Sequence, residues 1–132
     1  MIRVLLVDDQ SVVRRGLLMR LALEPDLRVV GAARSSEEAL VLARTAAPDV
    51  VVMDIEMQGA DGIQAIRQMR DLTPNGAVIV LTMRGGQETR AQALEAGALA
   101  FVEKLGGADP LLQEIRRLAG RRTGSKEQDR ET

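Results

Sequence analysis

Five short aliphatic runs, spaced by segments long enough to be helices, constrain this chain more than any other feature. They lie at about residues 3–7, 27–32, 50–53, 77–81 and 100–102. Strands alternating with helix-length segments indicate βαβ units and a parallel sheet. The runs are apolar at successive positions, as expected of strands buried on both faces by helices. Right-handed crossovers restrict the topology further. At 132 residues the chain fits one domain.

The helices are placed by their caps and stripes. The first follows Asp9, carries Val13, Leu17 and Leu21 on one face, and ends before Pro25. Ser35 with Glu38 forms a capping box for the second, which carries Ala39, Leu40 and Ala43. The third follows Asp61-Gly62 with Ile63, Ile66 and Met69 at helical spacing, and Pro74-Asn75-Gly76 is a turn. The fourth follows Gly85-Gly86, carries Ala91 and Leu94, and stops at Gly97. The fifth takes Asp109 as N-cap and Pro110 in its first turn, faces the sheet with Leu111, Leu112, Ile115, Leu118 and Ala119, and stops at Gly120. Residues 121–132 hold seven charged residues and no large apolar one, so they are expected to be a polar disordered tail or the start of a linker.

The residues that end the strands share a chemistry. Asp8-Asp9 follow the first run and Asp54 the third, Thr82 follows the fourth, and Lys104 comes just after the fifth. In a parallel α/β sheet the carboxyl ends of the strands lie on one edge, where ligands bind. Three carboxylates about 5 Å apart repel pairwise by about 3 kcal/mol at an effective dielectric near 20. Either their pKa values rise or a cation sits among them. A hard ion such as Mg²⁺ suits oxygen ligands and a substrate phosphate. Asp8 and Asp9 are the metal-holding pair, and Asp54, alone on its strand, is the nucleophile that can accept a phosphoryl group. Lys104 supplies a point charge and Thr82 a hydroxyl donor. Taken singly, each residue has a plainer explanation: a helix cap for Asp8-Asp9, a turn for Thr82, solvated surface for Lys104.

The composition removes competing chemistries. No cysteine and no histidine are present, so disulfides, thiolate metal sites and the usual general base are excluded. The net charge of −1 does not suit a polyanion-binding chain. The arginines at 14, 15 and 20 and at 116, 117, 121 and 122 read as solvated helix faces, or as contacts for acidic patches on another copy. No apolar run approaches the ~18–20 residues of a membrane span, and a cytoplasmic protein is expected.

Val7-Asp8-Asp9, Met53-Asp54-Ile55-Glu56-Met57 with Asp61-Gly62, Leu81-Thr82 and Glu103-Lys104 together resemble the receiver domain of two-component response regulators. The resemblance covers residues 1–120. It implies a flavodoxin-like, doubly wound five-stranded parallel sheet in order 2-1-3-4-5 with five helices. It implies phosphoryl transfer to Asp54 from a sensor histidine kinase. Mg²⁺ would be arranged by Asp8, Asp9 and Asp54, together with the backbone carbonyl of Glu56. Thr82 and Phe101 would form the switch that follows phosphorylation. The resemblance implies a phosphoacceptor and not an enzyme with turnover; a small Mg²⁺-dependent phosphohydrolase using Asp54 is the alternative. Val12-Val13-Arg14-Arg15-Gly16-Leu17 and Leu94-Glu95-Ala96-Gly97-Ala98 are similar to phrases of the NarL/FixJ-type subfamily. Such receivers usually precede a DNA-binding output domain. This chain is too short to hold one, so it is expected to be the front of a transcriptional regulator or a stand-alone receiver. A homodimer is expected through the first and fifth helices, or through the fourth helix, fifth strand and fifth helix.

Some positions depart from that pattern. Gln58 and Leu105 stand where proline is frequent, and Met83 where a small residue is common. A cis bond before Leu105 would cost ~3 kcal/mol. Glu56 and Arg84, each two residues beyond a site residue, are expected to flank the pocket mouth, where an ion pair would slow hydrolysis of an acyl phosphate.

Overall fold

The computed structural model describes residues 1–56, 62–83 and 86–131, with side chains as far as Gly120. Its elements alternate: β1 (Ile2–Val7), α1 (Ser11–Ala22), β2 (Leu27–Ala33), α2 (Ser36–Ala46), β3 (Val50–Asp54), α3 (Gly62–Leu72), β4 (Ala77–Thr82), α4 (Gln87–Ala96), β5 (Ala100–Glu103), a 3₁₀ turn (Lys104–Gly106) and α5 (Ala108–Glu131). All strand pairs are parallel, in the order β2-β1-β3-β4-β5. This is the flavodoxin-like fold expected from the sequence.

The pleat sorts the strands into two cores. Leu5, Val7, Val51, Met53, Val78 and Val80 point to one face and pack with Ala39, Ala43, Ala65, Ile66, Met69, Ala93 and Ala96 from α2, α3 and α4. Val4, Leu6, Val50, Val52, Ile79 and Leu81 point to the other and pack with Leu21 of α1 and Leu111, Leu112, Ile115 and Leu118 of α5. Period-two alternation with apolar residues on both faces therefore produces a three-layer sandwich. The order reverses between β1's two neighbours, β2 and β3, so the crevice at the carboxyl ends of β1 and β3 is the switch point where such sheets bind ligands.

The capping box forms: the Glu38 amide donates to Ser35 Oγ at 3.1 Å. Gly97 ends α4 with φ of 121°, a conformation that disfavours a side chain, and a Cβ there would meet Arg70 Cδ. A Cβ on Gly62 would run into the carbonyl of Ile55, so glycine lets the start of α3 close against the chain leaving β3.

Three helix details differ from the sequence expectation. The buried face of α4 is Ala93 and Ala96, while Ala91 and Leu94 are exposed. The helix meets its neighbours through small residues, which permit close approach, and turns its larger one outward. Helix α5 begins at Ala108, so Asp109 lies in its first turn and is not the N-cap. Helix α5 also runs through Gly120 to Glu131. Among the described residues only Gly97 and Gly107 are glycines with positive φ, so Gly120 lacks the left-handed turn that a glycine stop requires. The backbone after Gly120 is helical as far as Glu131. A mid-helix glycine weakens a helix by about 1 kcal/mol relative to alanine without ending it.

Candidate phosphoacceptor site

The strand ends deliver the acidic cluster. Asp8 and Asp54 are essentially buried, at 0% and 1% exposure, and Asp9 is half-buried. One carboxylate oxygen from each of Asp8, Asp9 and Asp54 lies within 4.8 Å of the others. Asp8 and Asp9 follow β1 and Asp54 closes β3, which are adjacent strands.

Lys104 joins them from across the sheet. The 3₁₀ turn after β5 carries its side chain, 4% exposed, inward. Its Nζ lies 2.9 Å from Asp8 Oδ2 and 2.8 Å from Asp54 Oδ2. One buried cation thus bridges two buried carboxylates, the compensation such charges need. Backbone amides satisfy the other oxygens: Glu56 N donates to Asp54 Oδ1 and Gln10 N to Asp8 Oδ1, each at 2.9 Å. Burial pushes the Asp54 carboxyl up; the Lys104 hydrogen bond, the Glu56 amide and the Lys104 charge pull it down, the Asp8 charge adds to the rise, and the net shift is upward. For Lys104, burial acts downward, but hydrogen bonds and charge from Asp54 and Asp8 outweigh it and hold the ammonium above its ordinary value.

Thr82 is buried at the end of β4, one residue past Leu81, which is the register partner of Asp54. Its hydroxyl donates to Glu56 Oε1 at 2.5 Å, and the Met83 amide donates to the same oxygen at 2.6 Å. Phe101 is half-buried on β5 opposite Val80, packs against the α2–α3–α4 core, and lines a cleft of about 160 Å³ with Gly86, Gln87, Arg90 and Glu103. Leu105 is 78% exposed, and the Lys104–Leu105 bond is trans, since no cis peptide occurs among the described residues. Met57, Gln58, Asp61, Arg84 and Gly85 lie outside the described residues.

Two neighbours of the site escaped the sequence reading. Gln10 occupies the N-cap position of α1 but makes no side-chain cap; its Oε1 instead accepts from Lys104 Nζ at 3.3 Å. Arg14, taken as a solvated helix residue, donates from Nη1 to the Asp8 carbonyl at 2.8 Å. Placement is the available signal: both fall within the first turn after a strand that ends in the site.

The donor set suits a hard divalent cation: three carboxylates converge, and Asp8 Oδ2, though ion-paired with Lys104, is buried without a well-directed hydrogen bond.

Fold and cluster define the class. Residues 4–116 match the response regulator receiver domain, and the chain belongs to that family. It is 40% identical over 116 residues to the transcriptional regulatory protein LiaR of Bacillus subtilis, covering 88% of this chain and 55% of the relative. It is 39% identical over 123 residues to the response regulator GacA of Pseudomonas aeruginosa, covering 92% and 58%. A protein-glutamate methylesterase/protein-glutamine glutaminase of Methanospirillum hungatei is 45% identical over 106 residues, 79% of this chain but 30% of the relative. The chain therefore spans between about a third and three-fifths of these relatives. Among solved structures, the receiver domain of the putative response regulator NarL from Mycobacterium tuberculosis superposes with a TM-score of 0.84 at 28% identity, covering 90% of this chain and 96% of that one. The response regulator domain of Thermotoga maritima CheB gives 0.82 at 34%, covering 91% and 97%.

Proposed function

We propose that Asp54 accepts a phosphoryl group from a phosphohistidine of a sensor kinase and that the modified domain changes a partner-binding surface. The observation that carries this reading is Lys104 bridging Asp54 and Asp8 beside Asp9, at the switch point of the sheet.

In the transfer, an Asp54 carboxylate oxygen forms a bond to phosphorus as the bond from phosphorus to the donor nitrogen breaks, and the histidine leaves with the electron pair. Such transfer depends chiefly on positioning and charge neutralisation. Lys104 holds Asp54 in place and keeps a positive charge beside the incoming phosphoryl oxygens. The Glu56 amide orients the other Asp54 oxygen. Asp9 and Asp54, the Glu56 carbonyl and the arranging Asp8 would hold Mg²⁺, which when bound supplies further neutralisation of phosphoryl charge. Afterwards Thr82 turns toward the phosphoryl group and Phe101 moves with it; the cleft beside Phe101 supplies adjoining space. Arg84 paired with Glu56 would shield the acyl phosphate from water, and a slow decay that accelerates in the double variant Glu56→Gln/Arg84→Gln tests that role.

The likeness to the transcriptional regulatory protein LiaR supports a receiver that controls a transcriptional output, and a cytoplasmic location is part of this reading. Dimers through α1 and α5, or through α4, β5 and α5, are the surfaces for that control. Among the described residues no helix is long and apolar enough to cross a membrane. A phosphoacceptor takes up one equivalent from a small-molecule phosphodonor, and its amide spectrum shifts at Asp54, Thr82 and Phe101 with beryllium fluoride and Mg²⁺. Sustained turnover of a phosphate ester would establish the phosphohydrolase instead.

A further inference from the structure

The donors at the end of β4 are already taken. Glu56 Oε1 accepts both the Thr82 hydroxyl at 2.5 Å and the Met83 amide at 2.6 Å. Two donors from one strand end converge on a single anionic oxygen, a strong charge-assisted arrangement. The same residue's backbone amide is tied to Asp54 Oδ1 at 2.9 Å. One glutamate therefore touches both sides of the site, the Asp54 carboxylate through its backbone amide and the β4 donors through its side chain.

An acyl phosphate on Asp54 would reach toward the neighbouring strand. An Asp54 oxygen and a terminal oxygen on the same tetrahedral phosphorus lie about 2.5 Å apart, and one hydrogen bond further reaches a donor about 5 Å away. The neighbouring strands lie about 4.8 Å apart, and Leu81, the register partner of Asp54, immediately precedes Thr82. Lys104 approaches Asp54 at Oδ2, while the Glu56 backbone amide donates to Oδ1. A phosphoryl group on Asp54 brings three acceptor oxygens and nearly two negative charges into reach of the same hydroxyl and amide. A donor hydrogen serves one strong acceptor at a time.

We infer that the Glu56 carboxylate is a built-in competitor of the phosphoryl group: it holds the Thr82 hydroxyl and Met83 amide in the unmodified protein and must leave before they can bind the phosphoryl oxygens. This rests on Asp54 being the phosphoacceptor. Glu56 is thereby a positioning residue that sets the threshold of the switch. It is solvent-exposed, so its carboxylate can leave Thr82 and Met83 without a burial cost.

The test is a titration of the full chain with beryllium fluoride and Mg²⁺, followed by the Met83 amide resonance, for the parent, Glu56→Gln, Glu56→Ala, Thr82→Ala and the Glu56→Ala/Thr82→Ala pair. Glu56→Ala should tighten apparent affinity about tenfold, the scale of one charged hydrogen bond no longer displaced. Glu56→Gln, which keeps an acceptor but loses the charge, should fall between. In the Thr82→Ala background the gain from Glu56→Ala should shrink to about threefold, because one contested donor is gone; that coupling is what a purely local structural role would not produce. Unchanged or weaker affinity in Glu56→Ala overturns the inference, and so does an equal gain in both backgrounds, which would make Glu56 a simple repulsive charge. Failure of every variant, parent included, to bind beryllium fluoride would instead overturn the phosphoacceptor reading itself.

Discussion

Lys104→Met isolates the electrostatics of the site, because methionine keeps most of the aliphatic stem and removes the charge. In the parent, Nζ sits 2.9 Å from Asp8 and 2.8 Å from Asp54. Without it, two buried carboxylates face each other within 4.8 Å. Their mutual repulsion is about 3 kcal/mol at an effective dielectric near 20, and stranding one side of a buried ion pair costs about 3–5 kcal/mol in total. That is a large share of the ~5–15 kcal/mol stability of a typical domain. The direction with pH follows from Asp54, whose folded pKa is already above the usual 3.8. A carboxyl raised on folding contributes stability below its unfolded pKa and loses it as pH rises through the folded value. Removing Lys104 raises the folded value further, so the deficit should be near its full size at pH 7 and shrink as pH falls toward 3.8. Urea unfolding of metal-free parent and variant at pH 7 and at about pH 4.5 measures it. A deficit of equal size at both pH values, or one under about 1 kcal/mol at pH 7, refutes the argument.

The same geometry sets further expected outcomes. Lys104, raised on folding above 10.5, should make the parent lose stability as pH climbs through the raised value, and Lys104→Met should abolish that alkaline loss in urea titrations. Gly97→Ala should destabilise by about 1–3 kcal/mol, since it forces a side chain into φ of 121° against Arg70, measured as a fall in urea midpoint. Gly120→Ala should be neutral or stabilising by up to about 1 kcal/mol and raise helical circular dichroism, because the helix continues there; a clear loss would restore the helix stop. Ser35→Ala should cost about 1 kcal/mol in chemical denaturation by removing the cap to the Glu38 amide.

The fold was legible because its signals are local. Each apolar run became a strand within a residue or two, since continuous apolar stretches bounded by turn residues fit a doubly covered sheet. Asp8, Asp9, Asp54 and Lys104 came together because strand direction and order alone place them on one edge. What escaped depends on rotation and reach. The α4 stripe was assigned to Ala91 and Leu94, but tight packing selects the alanines at 93 and 96. Gln10 and Arg14 bend toward the site because Lys104 and the Asp8 carbonyl attract them, which spacing along α1 does not reveal. Glu56 was legible as a neighbour of the pocket, yet its grip on Thr82 and Met83 depends on the separation of β3 and β4 beyond their last paired residues.

The central claim is that Asp54 is the residue that takes the phosphoryl group. Intact-mass spectrometry of the full chain after incubation with acetyl phosphate and Mg²⁺ addresses it directly. One HPO₃ unit should be added, mapping to the peptide that contains Asp54, absent in Asp54→Asn and suppressed by EDTA. A chain that gains no phosphate, or gains it equally in Asp54→Asn, would contradict it.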